Sequence, residues 1–237
     1  TPFLREKTFL RQITLVMGQR NQLIWDIPVA DSFERNRAVY RISRIEYQKT
    51  LDELTELMDL SDLLGIPVRN LSLGERMKCE IGAALLHRPK VLFLDEPTIG
   101  LDVTMQRRIR SFIKEYNRRN GATVLLTSHY MADVEALCRR VIVIHQGKLL
   151  FDGGLDTLVK QFSPYKTIVV DLNTETADLS TYGKLISTEG TRYTLQVPKT
   201  KTAKITEKLL SEQPIIDLTV EDPSIEMVID QVFREAG

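Results

Sequence analysis

Residues 71–102, LSLGERMKCEIGAALLHRPKVLFLDEPTIGLD, constrain the fold more tightly than any other stretch of the chain. Ser72 and Glu75 stand in the Ser-x-x-Glu pattern. There a hydroxyl and a carboxylate satisfy the first free amides of a helix reciprocally, so a helix begins here. Met77, Ile81 and Leu85 recur on one face of it, and Arg88-Pro89 stops it. Residues 91–94 (VLFL) are apolar throughout, as a central parallel strand covered on both faces requires. That strand ends on two acids, Asp95 and Glu96. A Gly-Leu turn then leads to a third, Asp102. Carboxylates closing a buried strand belong on the ligand-binding edge of an open α/β sheet.

The same rhythm runs through the flanking sequence. Residues 12–17 (QITLVM) are β-branched and apolar, read as a buried strand that breaks at Gly18-Gln19. Residues 25–28 (WDIP) look like a loop. Leu51, Leu54 and Met58 recur at helical spacing between 46 and 60, and Gly65 and Pro67 punctuate the loop before Ser72. A further helix carries Met105, Ile109, Phe112, Ile113 and Tyr116 on one face and ends near Asn120-Gly121. Strands at 123–126 and 141–144 flank a short helix with Met131, Val134 and Leu137. Strand alternating with helix predicts an α/β domain with a mostly parallel sheet. After about Phe162 the texture changes: short strands at 167–172, 184–187, 193–197 and 215–220, a helix near 199–211, and a closing helix with Ile225, Val228, Ile229, Val232 and Phe233 on one face. This predicts a small α+β domain at 163–237, behind a first domain at 1–162 whose helical part covers about 20–88.

Composition sets limits. With 237 residues and 43% hydrophobic content, the chain can bury one substantial core, or one core and a satellite. Lys+Arg and Asp+Glu both number 32, so no global charge points to nucleic acid or an anionic membrane, and no nucleic-acid partner is expected. Cys79 and Cys138 lie in helical patterns without metal-ligand spacing, as reduced structural thiols of a cytosolic protein would. No apolar run approaches the ~20 residues of a membrane helix, and no secretory signal peptide is recognisable.

Asp95 can hold Mg²⁺ through its water shell, because that ion favours few carboxylates together with phosphate oxygens. Glu96, one residue on, places a second carboxylate where a group orienting or deprotonating water belongs. Taken alone, Asp-Glu-Pro is equally well a pair of solvated acids. The helix start upstream and Asp102 downstream argue against that. A helix that begins at Ser72 with Gly74 in its first turn offers free amides and a positive dipole end to an anion, although Ser-x-x-Glu is more often an ordinary cap. His129 closes the strand TVLLT through Ser128, on the same edge as Asp95, whereas His87 and His145 read as packed or surface residues.

Together these segments resemble the signature motif, Walker B strand and D-loop of an ATP-binding-cassette (ABC) ATPase, strongly over 71–102 and over about 1–160 in all. The resemblance implies an incomplete P-loop NTPase domain with a helical subdomain, working with ATP and Mg²⁺. It implies that Glu96 and His129 are catalytic, that Asp95 and Gln19 serve the Mg²⁺ site, and that Ser72, Gly74, Glu75 and Asp102 contact nucleotide, the signature groups acting on ATP held by a second subunit. Gln19 resembles the Q-loop glutamine, with Gln22 a nearby rival and Gly18 an extra residue. It further implies two ATP-binding subunits driving an integral membrane permease from the cytoplasmic face of the cell membrane. The segments LVMGQRNQLIWDIPV and DVTM are most similar to subunits of ABC-2-type exporters, and the C-terminal domain to the accessory extension some of them carry.

No Gly-x-x-x-x-Gly-Lys-Ser/Thr occurs in the chain; Gly147-Lys148 and Gly183-Lys184 are each followed by leucine. Truncation upstream of Thr1 is the favoured explanation. Such a piece would lack a central strand and expose apolar edges. Two other functions fit the motifs: a cassette ATPase of translation or DNA repair without a permease, and a non-catalytic partner that offers its signature helix to a complete subunit.

Overall fold

The computed structural model describes residues 2–18, 20–174 and 178–236. They form two compact units, Thr1–Cys138 and Arg139–Gly237. In the first, a short helix α1 (Lys7–Leu10) leads into β1 (Ile13–Met17). Three helices then intervene: α2 (Val29–Tyr40), α3 (Arg44–Met58) and α4 (Leu73–Leu85). Strand β2 (Val91–Asp95), helix α5 (Val103–Asn120), strand β3 (Thr123–Thr127) and helix α6 (Met131–Leu137) follow.

The sheet has the order β1-β2-β3, all parallel, with Ile13, Val91 and Thr123 level at one end and Met17, Asp95 and Thr127 level at the other. One face carries Val16, Leu92 and Leu94, each about 1% exposed, packed with Ile81 and Leu85 of α4 and Ile109 and Phe112 of α5. The other face is open. Leu15, Phe93 and Leu125 lie side by side across the three strands and remain 44%, 37% and 47% exposed. The expectation of a central strand covered on both faces is therefore corrected: the helices supply packing to one face only.

Sequence periodicity placed α3, α4 and α5, and the structure adds their ends. Ser43 caps α3 by accepting the Glu46 N–H (3.2 Å). The buried Lys78 ammonium donates to the carbonyls of Met58 (2.8 Å) and Asp59 (3.2 Å), a cation on the negative end of α3. Gly121 at φ +62° ends α5. Helix α2 has no counterpart in the sequence reading. It is anchored by only two large apolar side chains, Val29 and Phe33, both fully buried, too few to set a period. Phe33 fits against Gly82 of α4, where a Cβ would stand 3.3 Å from its ring.

The second unit begins with β4 (Arg140–His145) and β5 (Lys148–Gly154), followed by α7 (Leu155–Phe162), β6 (Tyr165–Leu172), β7 (Lys184–Glu189), β8 (Arg192–Pro198), α8 (Thr202–Glu212), β9 (Ile215–Glu221) and α9 (Ile225–Ala236). Residues 141–144, expected in the parallel sheet, instead pair antiparallel with β5 in a hairpin turning at Gln146-Gly147, both at positive φ. Val143 and Phe151 of this hairpin cluster with Leu158 of α7 and with Val228 and Val232 of α9. That packing draws β4, β5 and α7 into the second compact unit, which begins after Cys138. Four antiparallel strands, β7-β8-β6-β9, form the rest. Their core is Ile168, Val170, Leu172, Leu195 and Val197 under Leu209 of α8.

Both cysteines are free, and burial pushes the Cys79 thiol up to about 12. Such a thiol stays protonated and inert. Among the described residues no helix is long and apolar enough to cross a membrane.

Candidate functional site

The carboxyl ends of β2 and β3 gather three of the expected residues. Asp95 is the last residue of β2, its side chain in the open, and Thr127 Oγ1 donates to its Oδ1 at 2.6 Å. Glu96 follows at φ +51°, a left-handed conformation that costs a residue with a Cβ about 1–2 kcal/mol. Held strain of this kind concentrates where function demands a particular aim. Here it turns the Glu96 side chain toward the loop after β3: Oε2 accepts the His129 N–H at 3.1 Å, and Oε1 lies 3.4 Å from His129 Nε2. The Glu96 side chain is 18% exposed and the imidazole 89%. A sheltered carboxylate thus stands beside an imidazole that solvent or a ligand can reach.

A neighbour missed in the sequence reading fixes this turn. Gly18 donates its N–H to the Asp95 carbonyl at 2.9 Å, extending the β1–β2 ladder by one residue. A Cβ on Gly18 would lie 2.2 Å from the Glu96 carbonyl oxygen. The glycine read as an interruption of the motif is what allows β1 to pass this close. Gln19 itself lies outside the described residues. Its rival Gln22 spends its side-chain amide on the Leu15 carbonyl. The Gln22 and Leu23 amides are gripped by the buried carboxylate of Glu80, at 2.9 to 3.2 Å. Burial raises the Glu80 carboxyl, opposed by those same amides.

Ser72, Gly74, Glu75 and Asp102 form a second cluster at the starts of α4 and α5. Ser72 Oγ accepts the Glu75 N–H (3.3 Å), and Glu75 Oε2 accepts both the Ser72 N–H (2.9 Å) and its hydroxyl (2.7 Å). The capping box is closed. The Ser72 hydroxyl and amide hold the Glu75 carboxyl below its usual range. An anion arriving at this helix start would meet that carboxylate first. Asp102 caps α5 through Oδ1 and the Met105 N–H at 2.9 Å. The two helix starts interlock: a Cβ on Gly74 would stand 2.8 Å from Met105 Cγ, and one on Gly100 3.1 Å from Leu73 Cδ2. Gly74 therefore serves packing in this arrangement. Among the described residues no hydrogen bond or ion pair joins this cluster to Asp95, Glu96 and His129.

A buried polar network behind the loop 97–102 was also missed. Asp133 of α6, fully buried, accepts from Thr98 Oγ1 (2.5 Å), Ser128 Oγ (2.8 Å) and Arg110 Nε (2.5 Å). It binds the segment after Glu96 to the segment carrying His129. No sequence pattern marks Asp133, an acid in a short amphipathic helix.

A single exposed carboxylate at a strand end, with a second beside it, fits Mg²⁺ carried by phosphate oxygens, since that ion keeps most of its waters. It does not fit an all-protein metal cage, and among the described residues no cluster of three or more metal-ligating side chains exists.

Comparison with known proteins agrees with this geometry. Residues 15–131 match an AAA-domain family, whose description also names the AbiEii toxin of a type IV TA system. Residues 164–221 match "EvrA-like ABC transporter, C-terminal domain". The chain is 32% identical over 148 residues to the ABC transporter ATP-binding protein NatA of Bacillus subtilis (strain 168), covering 62% of this chain and 60% of that protein. It is 39% identical over 125 residues to a methionine import ATP-binding protein, MetN 1, of Yersinia pestis, covering 53% and 36%. A solved structure titled as the ATP-binding subunit of an ABC transporter superposes with a TM-score of 0.58 at 26% identity, over 66% of this chain and 64% of that one. The chain spans about 60% of the length of the NatA relative. The Ser72-Glu75 helix start, the acids closing β2 and the His129 loop agree with these likenesses: the chain is similar to the ATP-binding proteins of ATP-binding-cassette transporters.

Proposed function

We propose that the protein of which this chain forms the signature, Walker B and switch-histidine part is the ATP-hydrolysing subunit of a membrane transporter, an exporter of the ABC-2 type. The observation that carries the reading is the pairing of Glu96 with His129 beside Asp95, at the carboxyl edge of a parallel sheet. Asp95 and Gln19 would hold Mg²⁺, which would supply charge neutralisation to the phosphates. Glu96 takes the proton of the attacking water. The His129 amide keeps that carboxylate aimed, and the exposed imidazole is free to donate toward a γ-phosphate oxygen. Ser72, Gly74, Glu75 and Asp102 serve nucleotide bound by a second ATP-binding subunit, the same chain or a related one. The Glu75 carboxylate leaves Ser72 when phosphate arrives, because two anions do not share one helix start. The partner is an integral permease, and the subunit lies peripherally on the cytoplasmic membrane face.

The test is Glu96→Gln in the complete protein. Turnover should fall by roughly 10²–10⁴-fold, the usual share of a general base, while ATP binding persists. Turnover equal to that of the parent would remove Glu96 from this role.

A further inference from the structure

A second site lies at the opposite ends of the strands. Arg11 precedes β1, Tyr40 and Arg41 end α2, Lys49 lies on α3, and His87 and Arg88 follow α4. Together they line a cavity of about 440 Å³, the size of small-molecule sites. Four cations face it against one carboxylate, Glu46, which is already engaged by the Ser43 hydroxyl at 2.8 Å. Arg88 is a fixed wall, held by Thr50 (3.0 Å), Glu53 (2.5 Å) and Asn120 (3.3 Å). Among the described residues the side chains of Arg11, Arg41 and Lys49 have neither an ion pair nor a hydrogen bond.

Two of these arginines stand where glycine would be easier. Arg41 has φ +52° and Arg88 φ +49°, the left-handed region that penalises a Cβ. Arg88 offsets the strain with three side-chain partners. The Arg41 side chain has none within the protein; its left-handed backbone closes α2, with the Arg41 N–H on the Ala38 carbonyl (3.1 Å) and the Ile42 N–H on the Arg37 carbonyl (2.9 Å), which leaves the guanidinium free for the cavity. The inner wall is aromatic: the Tyr40 and His87 rings stack with centroids 3.8 Å apart and planes 6° from parallel. Neither ring nitrogen of His87 has a hydrogen bond of normal geometry. Burial lowers the imidazole to about 4, an effect the Ile13 backbone opposes in part, so this wall is uncharged at neutral pH.

We propose that this cavity binds a small phosphoryl-bearing anion, gripped by Arg11, Arg41 and Lys49 against the fixed guanidinium of Arg88. Guanidinium forks match phosphoryl oxygens in pairs, and three cations without partners suit a di- or trianion better than a monocarboxylate. The site stands independently of the nucleotide chemistry assigned to Asp95 and Glu96.

The test is calorimetric titration of the 237-residue chain with inorganic pyrophosphate at low salt. A parallel arm uses phosphatidylcholine vesicles with and without phosphatidic acid. The variants are Arg41→Gly, which removes the charge and relieves the left-handed backbone, and Lys49→Gln on an exposed helix face. Saturable one-to-one pyrophosphate binding, weakened roughly tenfold or more by each variant and weakened by added salt, is the expected result. Binding to phosphatidic acid vesicles alone, lost in the same variants, supports the cavity and assigns the phosphoryl group to a lipid headgroup. Absence of a response to both probes, or a response the two variants leave within about twofold, overturns the proposal. Retained thermal melting in Arg41→Gly separates lost binding from lost fold.

Discussion

Replacing Asp133 by alanine tests whether the buried network behind the Glu96 loop holds the first unit together. The carboxylate is fully buried and accepts from Thr98, Ser128 and Arg110, while the Arg110 side chain is only 15% exposed. Removing one partner of a buried ion pair strands the other and costs about 3–5 kcal/mol. Two hydroxyl hydrogen bonds go with it, at about 1 kcal/mol each before repacking. Arg110 keeps one contact, to Gln106 Oε1 at 3.0 Å, which softens the loss. The expected net cost is about 4 kcal/mol, a large part of the 5–15 kcal/mol a typical domain has. Asp133→Leu combined with Arg110→Met empties the site of charge and should cost only about 1–2 kcal/mol, well below the sum of the single changes. Urea unfolding followed by Trp25 fluorescence is the assay. Trp25 is the chain's only tryptophan and lies in the same unit, with the Arg76 guanidinium 5.6 Å from its ring centroid. A loss below about 1 kcal/mol for Asp133→Ala, or a double variant as damaged as the sum of its parts, would refute the reasoning.

Gly18→Ala must push β1 away from the Glu96 carbonyl, because its Cβ would sit 2.2 Å from that oxygen. A loss of at least about 2 kcal/mol in the same urea assay is expected, and a neutral result would contradict the close approach. Glu96→Gly relieves the φ of +51° and should stabilise the unit by about 0.5–1 kcal/mol, read as a raised urea midpoint, while turnover of the complete protein is lost. A lowered midpoint would mean that the turn carries no strain. His87 has a folded value of about 4 against an ordinary 6.5, so the unfolded chain binds the extra proton between those values. Its contribution is therefore whole above pH 6.5 and lost as pH falls toward 4, with a ceiling of about 3.4 kcal/mol at 1.36 kcal/mol per unit. His87→Phe should flatten Trp25-detected stability across that window, and an unchanged slope would assign the pH dependence elsewhere.

Local patterns carried most of what the sequence revealed. The Ser72–Glu75 box, the stripe Met77-Ile81-Leu85 and the run before Asp95 each lie within a few residues, so periodicity and capping rules read them directly. Asp95, Glu96 and His129 were legible because each closes or follows an apolar strand. The contact between Glu96 and His129 was not, since it depends on β2 and β3 being neighbours. Helix α2 escaped because Val29 and Phe33 alone anchor it. The hairpin of β4 and β5 escaped because an apolar strand looks the same in a parallel and an antiparallel sheet. Gly18 against the Glu96 carbonyl and Asp133 beneath Thr98 join segments distant in sequence, and only packing reveals such partners.

The row Leu15, Phe93 and Leu125 has a practical consequence for anyone handling this chain. Adjacent strands are about 4.8 Å apart, so the three side chains make a straight greasy ridge about 10 Å across, rigid because the ladder beneath it is rigid. A hydrophobic dye should find it without any unfolding, which would make dye uptake a poor measure of denaturation for this molecule. Sulfate and phosphate salts, which strengthen apolar contact, should therefore favour association through this ridge, and a little urea should oppose it, a difference that light scattering reads directly.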